Sequence, residues 1–267
     1  MADLPHILLV DFAVSGALFI VLWITSVVIK DPSFIDAWWA LGVVVLTIAT
    51  FVQIPEHSTH GLVLAGLACA WGLRLGTYLF WRWRKHGHDR RYAKMFENAQ
   101  QKQKWGFATA SVILVFAPQF LLQFILALPA TLGQAAAPYS LGPIAAAGAV
   151  LAGFGIIYEM VADLQLAHFK SQDANAGQLM DKGLWRYSRH PNYFGEMCTW
   201  WGLWLLACET LPGAFTIVSP ILLTVLLTRV SGAPTTEPHM NKTRPAYADY
   251  KARTSAFIPW PPKQAKT

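Results

Sequence analysis

Residues 7–29 read ILLVDFAVSGALFIVLWITSVVI. One carboxylate, Asp11, interrupts a run that is otherwise apolar or small. Such a run is long enough to cross a bilayer core of ~30 Å, which takes about 20 residues of helix. Six more runs of this kind follow, at 37–55, 61–81, 107–129, 141–162, 193–210 and 212–229. The last two are joined by a tight turn from Glu209 to Gly213, and read either as two full spans or as a hairpin that does not fully cross. The chain is therefore expected to be all-α, a polytopic membrane protein of about seven transmembrane helices. Pro55, Pro129, Pro138 and Pro212 fall at the ends of these runs, where proline costs least, whereas Pro118 lies mid-span and should kink its helix. Small residues crowd 141–155, from Gly142 to Gly155, and suit close approach of helices.

Composition agrees. Of 267 residues, 54% are hydrophobic and 13% charged, against about 25% charged in an average soluble domain. Mean hydropathy is +0.36. Twelve tryptophans suit membrane interfaces. Cys69, Cys198 and Cys208 sit in apolar runs with no metal-binding spacing and read as packing residues. The first run lacks a basic flank and a small-residue cleavage site, so it is expected to be a retained span.

Charge sets the orientation. Loops 30–36, 82–106 and 163–192 and the segment after 228 hold one, eight, four and seven Lys or Arg. Those are 20 of the 21, all on one side of a seven-span arrangement. Arg74, inside the third run, is the other one, and the opposite loops hold none. The positive-inside rule makes the basic side and the C-terminus cytoplasmic and the N-terminus external. The net charge of +6 thus records topology before it suggests a nucleic-acid partner.

Ionisable residues within spans are functional candidates by default. Here they are Asp11, Arg74, Glu159 and Asp163, with Asp36 and Glu196 at cytoplasmic span ends. Asp11 lies near an external end and reads as reaching water. Tyr78 follows Arg74 by one helical turn and is able to donate a proton to a carbonyl oxygen. The densest polar cluster is cytoplasmic. Glu159 and Asp163 form an i, i+4 pair, Lys170 follows, and then comes Gly183-Leu-Trp-Arg-Tyr-Ser-Arg-His-Pro-Asn-Tyr-Phe-Gly-Glu196. Its Arg186 and Arg189, with Tyr187, His190, Asn192 and Tyr193, precede or open a helix. Arginines pair with phosphates, rings stack on bases, and a helix N-terminus favours anions, so the mixture suits a nucleotide. It suits equally a basic loop resting on anionic lipid. No Gly-rich Rossmann or P-loop motif is present.

The 183–196 run resembles the C-terminal signature of steroid 5α-reductase-like membrane proteins, shared more loosely by isoprenylcysteine carboxyl methyltransferases and sterol reductases. Three further stretches resemble the bacterial branch of that family: Ser33 to Trp39; Trp71 to Leu75 with Arg91-Tyr92; and Ser231 to Pro234 through Tyr250 and Arg253 to Trp260. The resemblance implies one membrane domain over 1–267, with 1–140 supplying substrate-pocket helices and 141–267 the cofactor-binding half. It implies NADPH as cofactor and a lipid-like enone as substrate. Matched by position, Asp163, Lys170, Asn192 and Glu196 would hold the cofactor. Arg186, Tyr187, Arg189, His190 and Tyr193 lie in the same segment, and His239 with Glu237 falls near a cofactor-contacting histidine. Arg91 and its neighbours Arg82, Arg84 and Arg90 suit a 2′-phosphate, or serve only as orientation charges.

Tyr78 matches the tyrosine that polarises the substrate carbonyl. The family's Gln-Glu partner has its literal counterpart at Gln53 and Glu56, but these lie at the far end of their span from Tyr78. Asp36, seventeen residues or ~25 Å of helix away from Gln53, lies at the right depth. The expected catalytic pair is therefore Tyr78 and a protonated Asp36, stabilising the enolate oxygen that forms as hydride reaches the β-carbon. Two alternatives stand beside this: an S-adenosylmethionine-dependent methyltransferase of a lipid or prenylated thiol, and a lipid-binding protein without enzymatic activity.

Overall fold

A computed structural model describes residues 3–137 and 140–263; Pro138 and Lys266, and the side chain of Arg90, lie outside what it describes. The described residues are helical, with an isolated bridge between Ser188 and Ser255 and no strand. The helices are α1 (Leu4–Ile29), α2 (Ile35–Gln53), α3 (Thr59–His86), α4 (Arg90–Gln103), α5 (Phe107–Ala135), α6 (Pro143–Lys170), α7 (Pro191–Ala207), α8 (Val218–Val225), α9 (Ala233–Thr243) and α10 (Tyr247–Arg253). Among the described residues, six helical stretches are long and apolar enough to cross a membrane: α1, α2, α3, α5, α6 and Leu211–Thr243, which contains α8 and α9. The run expected at 193–210 is α7. Its 17 residues span ~25 Å, short of the ~30 Å core.

Two prolines mark α5. Pro118 is accommodated by a π-helical turn at Val112–Phe116. Proline lacks an N–H and crowds the carbonyl four residues back, and a widened turn relieves both. Pro129, expected at a span end, is buried inside the helix.

The chain divides into two compact units, 1–146 with 203–219, and 147–202 with 220–267. In the first unit, α2 packs on α3 where Gly76 meets the Leu41 side chain; a methyl there would lie 2.6 Å from Leu41 Cγ. Buried Gln123 of α5 donates through Nε2 to the carbonyls of Trp38 and Trp39, both at 3.0 Å. Phe19, Ile35, Val115 and Phe116 form a core cluster against Trp23, Phe34, Tyr92 and Phe96. The 203–219 segment belongs here because Glu209 accepts from the backbone N–H groups of Gly142 and Ala145, both at 3.0 Å, and Ser219 donates to Leu126 O at 2.7 Å.

In the second unit, α6 and α7 touch along glycines. A methyl at Gly195 would lie 2.6 Å from the backbone nitrogen of Glu159. Trp201 Nε1 donates to Thr224 Oγ1 at 3.2 Å, tying α7 to α8.

Candidate functional site

The second unit gathers most of the polar run at 183–196. Gly183 opens a 3-10 turn over Gly183–Arg186, where a φ of +59° suits glycine. Trp185 is buried and donates through Nε1 to Ala162 O at 3.0 Å. The buried Tyr250 hydroxyl reaches the carbonyls of Trp185 and Ser188. The backbone then pairs with the C-terminal segment: Arg189 N–H donates to Ser255 O at 2.8 Å and Trp260 N–H to Tyr187 O at 3.0 Å. Residues 253–260, noted in sequence only as a family-like tail, are thus the scaffold of the signature run.

At the centre is Glu237 on α9. Arg189 Nε and Nη2 donate to its Oε1, both at 2.9 Å, and Lys251 Nζ reaches Oε2 at 2.8 Å. His190 Nε2 lies 3.1 Å from the same Oε1. Arg189 also donates to Thr254 O at 2.7 Å. His190 stacks with Tyr193, the rings parallel with centroids 5.2 Å apart, and with Phe257 at 5.4 Å. Burial holds the His190 imidazole below the usual histidine range, although the Glu237 hydrogen bond and charge pull the other way. Burial pushes the nearby Tyr247 phenol up to about 12.

A cleft of about 570 Å³ opens here, lined by Arg189, Thr228, Glu237, Asn241, Lys251 and Phe257, a size ordinary for a small-molecule site. A neighbouring cleft of about 400 Å³ adds Arg253, Trp260 and Lys263. On α6 and α7, Asn192 Nδ2 donates to Asp163 Oδ1 at 3.3 Å, and Asp163 and Glu159 are buried. Glu196 follows Gly195 at this contact and is half-buried. Lys170, Arg186, Tyr187 and His239 are exposed. His239 stands two residues from Glu237, so the two do not share a face of α9. Lys251, Asn241 and Phe257 were not singled out in sequence. Lys251 and Phe257 fall in or beside the family-like C-terminal stretch, and that was the available signal.

The first unit holds a second polar knot. Asp36 Oδ2 accepts from Arg91 Nη2 at 2.7 Å, and its Oδ1 from the Tyr92 hydroxyl at 2.6 Å. Gln119 Nε2 donates to that hydroxyl at 3.3 Å. Asp89 caps α4 by accepting from Arg91 N–H at 2.8 Å, and also binds the Arg91 side chain. Burial alone would raise the Asp89 carboxyl, but the Arg91 hydrogen bonds and charge more than reverse it and leave it below the usual carboxylate range. Burial, then Asp36, holds the Tyr92 phenol above its usual range. Ser33 Oγ accepts from Asp89 N–H, and Asp31 takes Trp83 Nε1 and Ser33 N–H. The stretches Ser33–Trp39 and Arg91-Tyr92 are therefore two sides of one contact. Asp36, expected as a neutral acid, has both oxygens in use as acceptors from Arg91 and Tyr92. Tyr78 is half-buried on α3, its ring 6.4 Å from Trp81.

Gln53 donates to Asp11 Oδ1 at 3.0 Å. Asp11 itself is wholly buried, which corrects the reading that it reaches water. Among the described residues no cluster of three or more His, Cys, Asp or Glu is placed to hold a metal.

A family model described as a protein of unknown function, DUF1295, matches residues 22–254, and the chain belongs to that family. No curated protein and no solved structure matches it.

Proposed function

We propose that this DUF1295 member is a membrane-embedded, NADPH-dependent reductase of an activated C=C in a lipid-like enone. The observation that carries the reading is the cleft of the second unit, where Lys251, on the Glu237 carboxylate that Arg189 also holds, lines the cavity beside stacked aromatic rings. The donor set fits a dinucleotide: guanidinium and ammonium groups for phosphate, amide and carboxylate groups for hydroxyls, and aromatic faces for rings. NADPH, when bound, would supply the hydride. Lys251, Lys170 and Arg186 offer charge to phosphate. Asn192, held by Asp163, and Glu196 offer hydrogen bonds. Tyr187, Tyr193 and His190 offer ring faces, and Glu237 fixes Arg189 in place. His239 is exposed.

Tyr78 is the proposed donor to the carbonyl oxygen. Charge develops on that oxygen as the β-carbon is reduced, and a fixed O–H aimed at it lowers the barrier. The contacts of Asp36 support a different role from acid: it anchors Arg91 and Tyr92 and so fixes the start of α4. Arg91 then serves the fold rather than the cofactor. The proposed topology counts α7 as a short seventh span, with the N-terminus external and the basic loops and C-terminus cytoplasmic, in a bacterial inner membrane.

The test is thermal stability of the detergent-purified protein with NADPH, NADH or S-adenosylmethionine, since binding to the folded state raises stability by mass action. A rise with NADPH is expected, followed by its oxidation on addition of an enone lipid. A rise with S-adenosylmethionine alone would move the chemistry to methyl transfer. No rise with any of the three would leave a lipid-binding protein without a nucleotide.

A further inference from the structure

The seam between α1 and α2 has no part in the reductase reading. α1 buries Ile7, Asp11, Ser15 and Phe19, one residue per turn along a single stripe. Asp11 is 0% exposed and Ser15 3%. From α2, Thr50 Oγ1 donates to Asp11 Oδ2 at 2.6 Å and Gln53 Nε2 to Oδ1 at 3.0 Å. No cation forms an ion pair with Asp11 among the described residues. A carboxylate inside an apolar span without a countercharge is costly.

Two oxygens beside it are idle. Ser15 Oγ lies one turn along the same face, shut off from solvent and without a hydrogen-bond partner among the described residues. Oε1 of Gln53 is in the same condition, while Nε2 spends its two hydrogens on Asp11 and on Ala49 O at 2.9 Å. Buried polar atoms are seldom left unpaired.

We propose that Asp11, Ser15, Thr50 and Gln53 form a binding site for one small monovalent cation, of which sodium is the type. The donors are all oxygens, as a hard cation requires. One carboxylate balances one charge, which argues against a divalent ion. A bound cation would use both idle oxygens, whereas a proton on Asp11 would use one at most. Gln53 brings Oε1 to bear by turning its amide, whose two ends are alike in shape. The site lies seven residues, or ~10 Å, into α1, and beside the last turn of α2, so the path to one membrane face is short.

The test is thermal unfolding of the detergent-purified protein at pH 7.5 and fixed ionic strength, with sodium, potassium or choline as the chloride salt. Sodium should raise the midpoint, and above its Kd the rise should follow the logarithm of its concentration; at a hundred times its Kd the folded-to-unfolded ratio gains ~100-fold. Asp11→Asn should abolish the dependence, yet melt no lower than the wild type in choline. Ser15→Ala and Thr50→Val, which remove an oxygen but no charge, should each raise about tenfold the sodium concentration needed for a given rise in midpoint, the loss of one good ligand. They carry the test if Asp11→Asn fails to fold. A wild-type midpoint indifferent to sodium overturns the proposal, as does sodium dependence that survives Asp11→Asn, or that needs no more sodium for the same rise in both Ser15→Ala and Thr50→Val. A midpoint that follows pH but ignores sodium would make Asp11 a proton site and equally overturn it.

Discussion

Replacing Glu237 by Gln isolates what holds the C-terminal segment in place. Glu237 and Arg189 are 13% and 11% exposed, so the substitution strands a nearly buried guanidinium. Removing one partner of a fully buried pair costs about 3–5 kcal/mol. Arg189 keeps its bond to Thr254 O, and both groups touch solvent, so the figure here falls to about 2–3 kcal/mol. The loss is local: Glu237 joins α9, α10 and the 188–190 strap within the second unit. Amide hydrogen exchange in detergent reads such local openings directly. The amides of Arg189 and Trp260, bonded to Ser255 O and Tyr187 O, should exchange ~30- to ~150-fold faster, at tenfold per ~1.4 kcal/mol. Amides of α2 and α5 should not change. Lys251→Ala removes a partner that is 54% exposed, and should cost under about 1 kcal/mol, or less than fivefold in exchange. Unchanged exchange at Arg189 and Trp260 in Glu237→Gln, or equal effects of the two variants, would refute the assignment of Glu237 as the organising group.

Three further outcomes follow from the same contacts. Tyr92→Phe removes one of the two donors to Asp36 and the acceptor of Gln119, and should lower stability by about 1–2 kcal/mol, read as an earlier thermal midpoint with α4 the first segment to lose exchange protection. Gly195→Ala drives a methyl into the backbone of Glu159 and should cost about 1–3 kcal/mol, whereas Gly153→Ala, whose methyl meets nothing within 4 Å, should be neutral or stabilise by up to about 1 kcal/mol; equal midpoints for the two would count against the close α6–α7 contact. His190, held below the usual histidine range, is neutral when folded, so the stability it contributes is present above the unfolded value of 6.5 and is lost as pH falls below it. Exchange at Arg189 should therefore quicken between pH 7 and 5, after correction for intrinsic rates, and His190→Gln should remove that step.

The spans were legible because a run of twenty apolar residues has few other readings. Their ends were not. α3 continues through Arg82, Trp83 and Arg84, and α6 runs on to Lys170. A helix outlasts the lipid without any hydropathy signal. Rotation between helices was equally hidden. Asp11 looked like a residue near water, and only the partners 39 and 42 residues along, Thr50 and Gln53, show that it faces inward. Asp36 looked like an acid at the right depth, and its partners are 55 and 56 residues distant. The family-like stretches marked residues that meet one another within each unit, but a pattern of identities does not separate a carboxylate that tethers a helix from one that gives up a proton.

That separation bears on which cations are free to meet a ligand. Arg189 is the most conspicuous member of the signature run, yet its Nε, Nη1 and Nη2 all have partners inside the protein. A phosphate that took Arg189 from Glu237 would strand a carboxylate in its place, so little affinity would be gained. Lys251 shares the same carboxylate but is 54% exposed, and its point charge turns to a new anion at small cost. Arg186 is exposed as well. The two kinds of cation should therefore divide the labour. Lys251→Ala should weaken nucleotide binding about tenfold, one charge-assisted hydrogen bond's worth, while leaving the unliganded midpoint within a degree or two of the wild type. Arg189→Lys should do the reverse, lowering the midpoint through its lost contacts to Glu237 and Thr254 while leaving the affinity of whatever folds within about threefold. Titrating NADPH into both variants by thermal shift compares them on one scale. Should Arg189→Lys lose binding while Lys251→Ala keeps it, the arginine meets the cofactor itself and Glu237 must give way when the cofactor binds.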